Sequence, residues 1–261
     1  MKIAVVTSLN KRLFDEYGHN FYDTYNWKGF DLYTYTEDAD WIAPKGATIN
    51  LFDQVPECKE FVERTPPDKK REVRYDPDSG RRMAEFRLDA VRFCYKVYGY
   101  TNLILNNRGY DGVIYTDADC VFYKPIDARW AKKQLHRDDC MMTYLGRIGK
   151  WSECGFLYFN CKHPKTVEWA QRLHDVYTTD EIFDLQEWHD SYVVDQVRIE
   201  FEKEHGVKNH NIGWTSKNPN HLRFQRKAAS HVQAWSVLGE IYDHCKGARK
   251  GDMKSPENIH I

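Results

Sequence analysis

The sequence predicts an α/β fold, a mostly parallel sheet flanked by helices in a single domain. Three observations lead there. Apolar, β-branched runs of strand length, such as "KIAVVTSL" and "GVIYT", alternate with stretches of helical periodicity. Both runs end in polar residues, at the edge where open α/β sheets bind ligands. No internal repeat or long linker divides the 261 residues, a length that suits one large domain.

The elements follow in chain order. "KIAVVTSL" reads as a buried first strand whose tip, Thr7 and Ser8, faces a ligand. The Tyr-rich "HNFYDTYNWKGFDLYTYTED" reads as a helix followed by a second strand, "FDLYTYT". Residues 64–82 are charged and carry three prolines, which predicts a mobile surface loop. "MAEFRLDAVRFCYKVYG" spaces Phe86, Ala90, Phe93, Cys94 and Val97 as a helix does, with Gly99 as its expected stop. "GVIYT" is the next strand, and it delivers Asp117 and Asp119 at its C-terminal end. "CMMTYL" and "CGFLYFN" are further strands. "TVEWAQRLHDVYT" and "DSYVVDQVRIEFEKEHG" are helices, the second ending near Gly206. Residues 251–261 form a polar, loose tail.

Composition removes several classes of function. Lys and Arg total 38 against 39 Asp and Glu, so the net charge of −1 gives no general pull toward nucleic acid or anionic membrane. Aromatic residues make up 15%, which suits stacking on sugars or bases but also an ordinary core. Seven scattered cysteines without a C-x-x-C pair predict neither a disulfide framework nor a zinc knuckle. The opening "MKIAVVTSLNKRLF" breaks its apolar run too early for a secretory leader. No stretch approaches the roughly 20 apolar residues of a membrane helix. The expectation is a soluble, cytoplasmic protein.

Two constellations carry chemistry. In "DGVIYTDADCVFYKPI", Asp117 and Asp119 stand two residues apart, on the same side of an extended segment. Like charges that close repel unless a cation sits between them. Carboxylate oxygens suit Mg²⁺ or Mn²⁺, either of which neutralises a diphosphate. The apolar flanks place the pair in the floor of a cleft, whereas D-x-D alone also fits a solvated strand-end turn. The second constellation is "HCKGARK". His244 is a possible metal ligand, Gly247 lets backbone approach an anion, and Lys250 supplies a point charge. Taken alone, it also fits a basic surface turn.

An N-terminal strand, a central "YTDAD" and a late "HxxGxxK" together resemble GT-A-fold, nucleotide-sugar-dependent glycosyltransferases. The pattern is similar to the retaining group that includes glycogenin and the lipopolysaccharide galactosyltransferases. The resemblance implies a Rossmann-like GT-A domain over residues 1–250. It implies that Asp117, Asp119 and His244 hold Mn²⁺ (or Mg²⁺) and that Asp117, Gly247 and Lys250 serve the donor diphosphate. In this group Pro-Trp follows the late Lys; here Gly251 and Asp252 follow. "ECGFLYFN" resembles a strand lining the sugar site, with Gly155 and Asn160 at matching positions and Glu153 in place of an Asn. Arg87 resembles the Arg of the preceding helix that reaches the donor. "EWHDSYVVDQV" resembles two donor-sugar motifs at once. These favour Asp190, beside Trp188 and His189, over Asp195.

The expected reaction moves a hexose or pentose from a nucleoside diphosphate sugar, foremost a UDP-sugar, to an acceptor hydroxyl, with retention implied by the resemblance. Charge on the departing diphosphate falls to the metal, Lys250 and Arg87. Asp190 or Glu153 serves the cation-like sugar carbon. Thr7, Ser8 and the tyrosines after them hold the base. The acceptor stays open among a glycan, a protein, a metabolite and a modified nucleic-acid base. "DKKREVR" and "GRR" form either a basic patch beside it or a solvated loop. Two alternatives remain. A sugar-1-phosphate nucleotidyltransferase needs a Gly-rich loop after the first strand, and "TSLNKRLF" has no glycine. A non-catalytic sugar-binding module would keep the D-x-D for Ca²⁺.

Overall fold

The computed structural model describes residues 1–65, 74–75, 83–106, 108–213 and 236–245. Most of the loop expected over 64–82, the tail, Gly247 and Lys250 lie outside the described residues.

The chain builds a seven-stranded sheet flanked by helices on both faces. Its strands are β1 (Ile3–Ser8), β2 (Phe30–Thr36), β3 (Ala47–Asn50), β4 (Gly112–Thr116), β6 (Cys140–Arg147), β7 (Lys150–Asn160) and β8 (Lys208–Asn211), in the order β3-β2-β1-β4-β7-β6-β8. Only β7 runs against the others. The sheet is therefore mixed but mostly parallel. A separate two-stranded ribbon pairs β5 (Cys120–Phe122) with β9 (Tyr242–His244), setting Cys120 opposite His244.

Alternation along the strands divides the core. Ala4, Val6, Val113, Tyr115 and Leu157 face one side. There they meet α3 (Leu51–Gln54), α4 (Pro56–Arg64), α5 (Ala90–Leu105), α7 (Thr166–Thr178) and α8 (Asp190–His205). Ile3, Val5, Ile114 and Phe156 face the other. A helical segment covers them: α1 (Lys11–Leu13), a π-turn over Phe14–Gly18 and α2 (His19–Thr24), together with α6 (Ala128–Gln134) and the ribbon. Asn10 starts that segment by accepting the Leu13 N–H at 2.8 Å. At the C-terminus of α8, Gly206 sits at φ 63°, a left-handed stop that glycine takes without steric cost.

Much of the aromatic content is core. Phe21, Tyr25 and Trp27 pack on Phe122 at centroid distances of 5.0, 5.3 and 4.9 Å, and Tyr242 lies 5.7 Å from the same ring. Each such pair contributes about 0.5–1.5 kcal/mol beyond its area burial. The cluster fixes the β5–β9 ribbon, and with it the position of His244. Gly99 does not stop its helix: α5 runs on to Leu105. An added Cβ there would lie 3.2 Å from Tyr35 Cγ, so this glycine serves close packing of helix on sheet.

Burial lowers the proton affinity of His163, His174 and His210. The unfolded chain then binds more protons than the folded one below about pH 6.5, so stability rises with pH through that window and falls as pH drops. The urea midpoint is expected to decline from pH 7 to pH 5, and His174→Gln to flatten the decline; an unchanged slope in that variant contradicts the assignment to His174.

Candidate active site

Strand β4 ends at Thr116, and the pairing continues one residue further through Asp117 N–H to the Gly155 carbonyl at 3.0 Å. Asp117, Asp119 and Glu153 thereby line one large cavity at the C-terminal edge of β1 and β4. Its volume of about 1590 Å³ exceeds the roughly 300–1,000 Å³ of a typical small-molecule site.

The ribbon sets His244 beneath the cavity, buried behind Asp117 and Asp119, with the Cys245 N–H bonded to the Asp119 carbonyl at 2.7 Å. The buried imidazole presents Nε2 2.8 Å from Asp119 Oδ1 and 3.5 Å from Asp117 Oδ2. Asp117 divides its two oxygens. Oδ1 accepts from the Tyr115 hydroxyl at 2.6 Å and the Lys96 ammonium at 3.1 Å, while Oδ2 turns toward His244. On the other edge of the ring, Nδ1 stands 4.0 Å from Glu153 Oε1. Asp117, Glu153 and His244 each offer a ligand atom within 4.8 Å of one another. One imidazole gives one nitrogen to an ion, and Asp117 and Asp119 gather at Nε2; Glu153 lies beyond hydrogen-bond reach of Nδ1, its oxygens taken by the Gly155 N–H at 3.1 Å and Arg147 at 3.2 Å.

Gly155 makes the approach possible. A Cβ there would lie 2.4 Å from His244 Cε1 and 3.0 Å from Asp117 Oδ2. This cradle and the donor set of carboxylates with one imidazole fit a hard divalent cation. Gly155→Ala is expected to push the ring away from Asp117, costing about 1–3 kcal/mol of stability and weakening Mn²⁺ binding. Urea unfolding and a Mn²⁺ titration check both, and unchanged Mn²⁺ affinity contradicts the cradle.

Asp190 opens α8, 2.5 Å from the ammonium of Lys96, which thus bridges Asp190 and Asp117. Burial alone would drive the Lys96 pKa down, but the two carboxylates outweigh it and hold the ammonium charged, well above the ordinary lysine range. The motifs did not single out Lys96. Its signal is a charge set among Phe93, Cys94 and Val97 on the helix face that turns inward. Arg87 reaches the cavity wall, where its guanidinium pairs with Glu187 at 3.1 Å. Ser8 lines the cavity beside Asn10 and Glu37, whose side chains bond at 2.7 Å.

Other expected site residues stand elsewhere. Thr7 is fully buried and does not line the cavity, because neighbouring strand residues point to opposite faces. Asn160 pairs with Gly112 at the far end of β4, and its amide donates to the Arg137 and Cys140 carbonyls. The reversed direction of β7 puts Gly155 beside Asp117 and carries Asn160 away. Asp195 is buried, accepting from the Ser152 N–H at 2.6 Å and hydroxyl at 2.7 Å, so it ties α8 to β7. Trp188 is core, its ring set edge-on to Phe183 at 5.1 Å.

The fold and the cavity define an α/β protein with a candidate divalent-metal centre at the C-terminal edge of its sheet. No protein-family profile matches the chain, and no curated protein matches it. Among solved structures it is similar to the glycosyltransferase GlyE of Streptococcus pneumoniae TIGR4. The apo form shows 12% identity over 80% of this chain and 45% of that one, with a TM-score of 0.41. A second GlyE structure shows 14% identity over 75% and 43%, with a TM-score of 0.42. The chain spans less than half the length of these proteins, and a likeness at that level carries no chemistry over. Among the described residues, no helix is long and apolar enough to cross a membrane.

Proposed function

We propose that the protein is a metal-dependent glycosyltransferase that moves a sugar from a nucleoside diphosphate sugar, foremost a UDP-sugar, to an acceptor hydroxyl. The observation that carries the reading is His244 Nε2 lying 2.8 Å from Asp119 and 3.5 Å from Asp117, buried directly behind these two carboxylates, which line the cavity. When bound, Mn²⁺ or Mg²⁺ would supply the positive charge that a departing diphosphate requires. Asp117, Asp119 and His244 would hold it, with Glu153 behind the imidazole.

The remaining roles belong to side chains. The bond from the anomeric carbon to the diphosphate breaks, the acceptor oxygen bonds to that carbon, and the acceptor proton passes to a diphosphate oxygen. Lys96 fixes the Asp190 carboxylate at the cavity surface, where it meets sugar hydroxyls and the cation-like carbon of the transition state. Ser8, Asn10 and Glu37 form the polar end of the cavity suited to a nucleobase. Retention rests on the motif resemblance.

The test is thermal unfolding with UDP, Mn²⁺ or both, followed by hydrolysis of a nucleotide-sugar panel. UDP with Mn²⁺ at 100 times its Kd is expected to add about 2.7 kcal/mol of stability, and at least one sugar nucleotide to be hydrolysed only with the metal. A shift without any turnover fits the sugar-binding alternative. No shift with any nucleoside diphosphate and Mn²⁺ contradicts the proposal.

A further inference from the structure

One wall of the cavity is built unlike the rest, and the metal centre does not use it. Glu187 is its hub. Its Oε2 meets His189 Nε2 at 2.7 Å, its Oε1 meets the Arg87 guanidinium at 3.1 Å, and it accepts a hydrogen bond from the side chain of Trp151. Burial raises the pKa of this carboxyl, but His189 and Arg87 outweigh that and hold it ionised. Three separate segments are tied at this one carboxylate: the turn Glu85–Leu88, the start of β7 and the residue that precedes α8. Around it stand aromatic rings. Phe86 lies 5.8 Å and Phe93 6.3 Å from the His189 ring, and Trp151 packs edge-on against Tyr192 at 4.7 Å. Phe86 is 47% exposed although it lines the cavity. What sets Phe86 apart from other exposed apolar side chains is that it lines the cavity together with Phe93. Asp190 is the next residue after His189.

We propose that this wall is the acceptor subsite and that it takes a saccharide; the inference rests on the glycosyltransferase reading above. A pyranose has an apolar C–H face and a rim of hydroxyls. Phe86 and Phe93 offer rings to the face, while the Glu187 carboxylate accepts from the rim. Arg87 is already paired with Glu187, but Arg92, 5.6 Å from the Phe93 ring, also lines the cavity, so a nucleic-acid acceptor is an outcome the test distinguishes. Glu187 also sets the rings and the imidazole through bonds to three neighbours.

The test uses the full chain with UDP and Mg²⁺. Saturation-transfer NMR is recorded with methyl α-glucoside, methyl β-galactoside and maltotriose, and with adenosine and a Ser/Tyr peptide as non-saccharide probes. At least one saccharide is expected to show transfer. Phe86→Ala, at an exposed ring, is expected to weaken it about tenfold, the loss of roughly 1.4 kcal/mol of stacking. The thermal shift from UDP with Mg²⁺ should stay as in the parent. Glu187→Gln, which keeps the shape, is expected to weaken the saccharide again without touching that shift. Silence from all three saccharides, transfer only to adenosine or the peptide, or an unaltered signal in Phe86→Ala overturns the subsite. In each case a retained UDP shift leaves the transferase reading standing, whereas loss of that shift in the parent sinks the transferase reading itself.

Discussion

Asp119→Asn and His244→Gln are each expected to lower Mn²⁺ affinity by at least about 100-fold, because on the proposed reading the first takes a charge and the second a nitrogen from the ion, where even outer partners are worth 10–100-fold. Donor hydrolysis should fall with it. Asp119→Asn is the cleaner variant. It keeps the volume, and the Cys245 N–H bond runs to the Asp119 backbone carbonyl and so survives the change. Only the charge facing His244 Nε2 is lost. His244 is almost fully buried on the β5–β9 ribbon, so His244→Gln is read beside its own urea midpoint. Calorimetric titration of Mn²⁺ into parent and variants decides the matter. Equal affinity in Asp119→Asn means that the ion, if any, sits elsewhere.

Lys96→Met is the variant expected to cost most in stability. Its ammonium lies 3.1 Å from Asp117 and 2.5 Å from Asp190, with a side chain only 13% exposed. Removing one partner of a buried ion pair leaves uncompensated charge, worth about 3–5 kcal/mol. Here two carboxylates lose the same cation. A divalent ion at Asp117 would relieve part of that repulsion, so Mn²⁺ should raise the unfolding midpoint more in Lys96→Met than in the parent. Urea unfolding with and without Mn²⁺ measures both effects. A loss under about 1 kcal/mol, far short of that expectation, or equal Mn²⁺ responses, contradicts the bridging role.

The parts of the fold legible in the sequence are those with local causes. Strand β4 and helix α7 begin and end where "GVIYT" and "TVEWAQRLHDVYT" do, and Gly206 stops α8 at a left-handed φ. Local patterns could not show that Gly99 lies inside a helix, because its reason is the Tyr35 ring from another element. Nor could they show the reversed direction of β7, which brings Gly155 beside Asp117 and carries Asn160 away from it. The pairing of Asp117 and Asp119 with a histidine 125 positions beyond Asp119 came from motif resemblance. Its physical basis, the β5–β9 ribbon clamped by Phe21, Tyr25, Trp27 and Tyr242, is tertiary. Lys96 and Glu187 escaped notice for the same reason: each acquires meaning only from partners distant in the chain.

The most direct measurement is a crystal grown with Mn²⁺ and UDP, with an anomalous difference map recorded at the manganese edge. The account requires a peak in contact with a carboxylate oxygen of Asp117, one of Asp119 and Nε2 of His244, with the diphosphate reaching the same ion. A map empty at that point, or an ion bound away from the His244 ring, contradicts it.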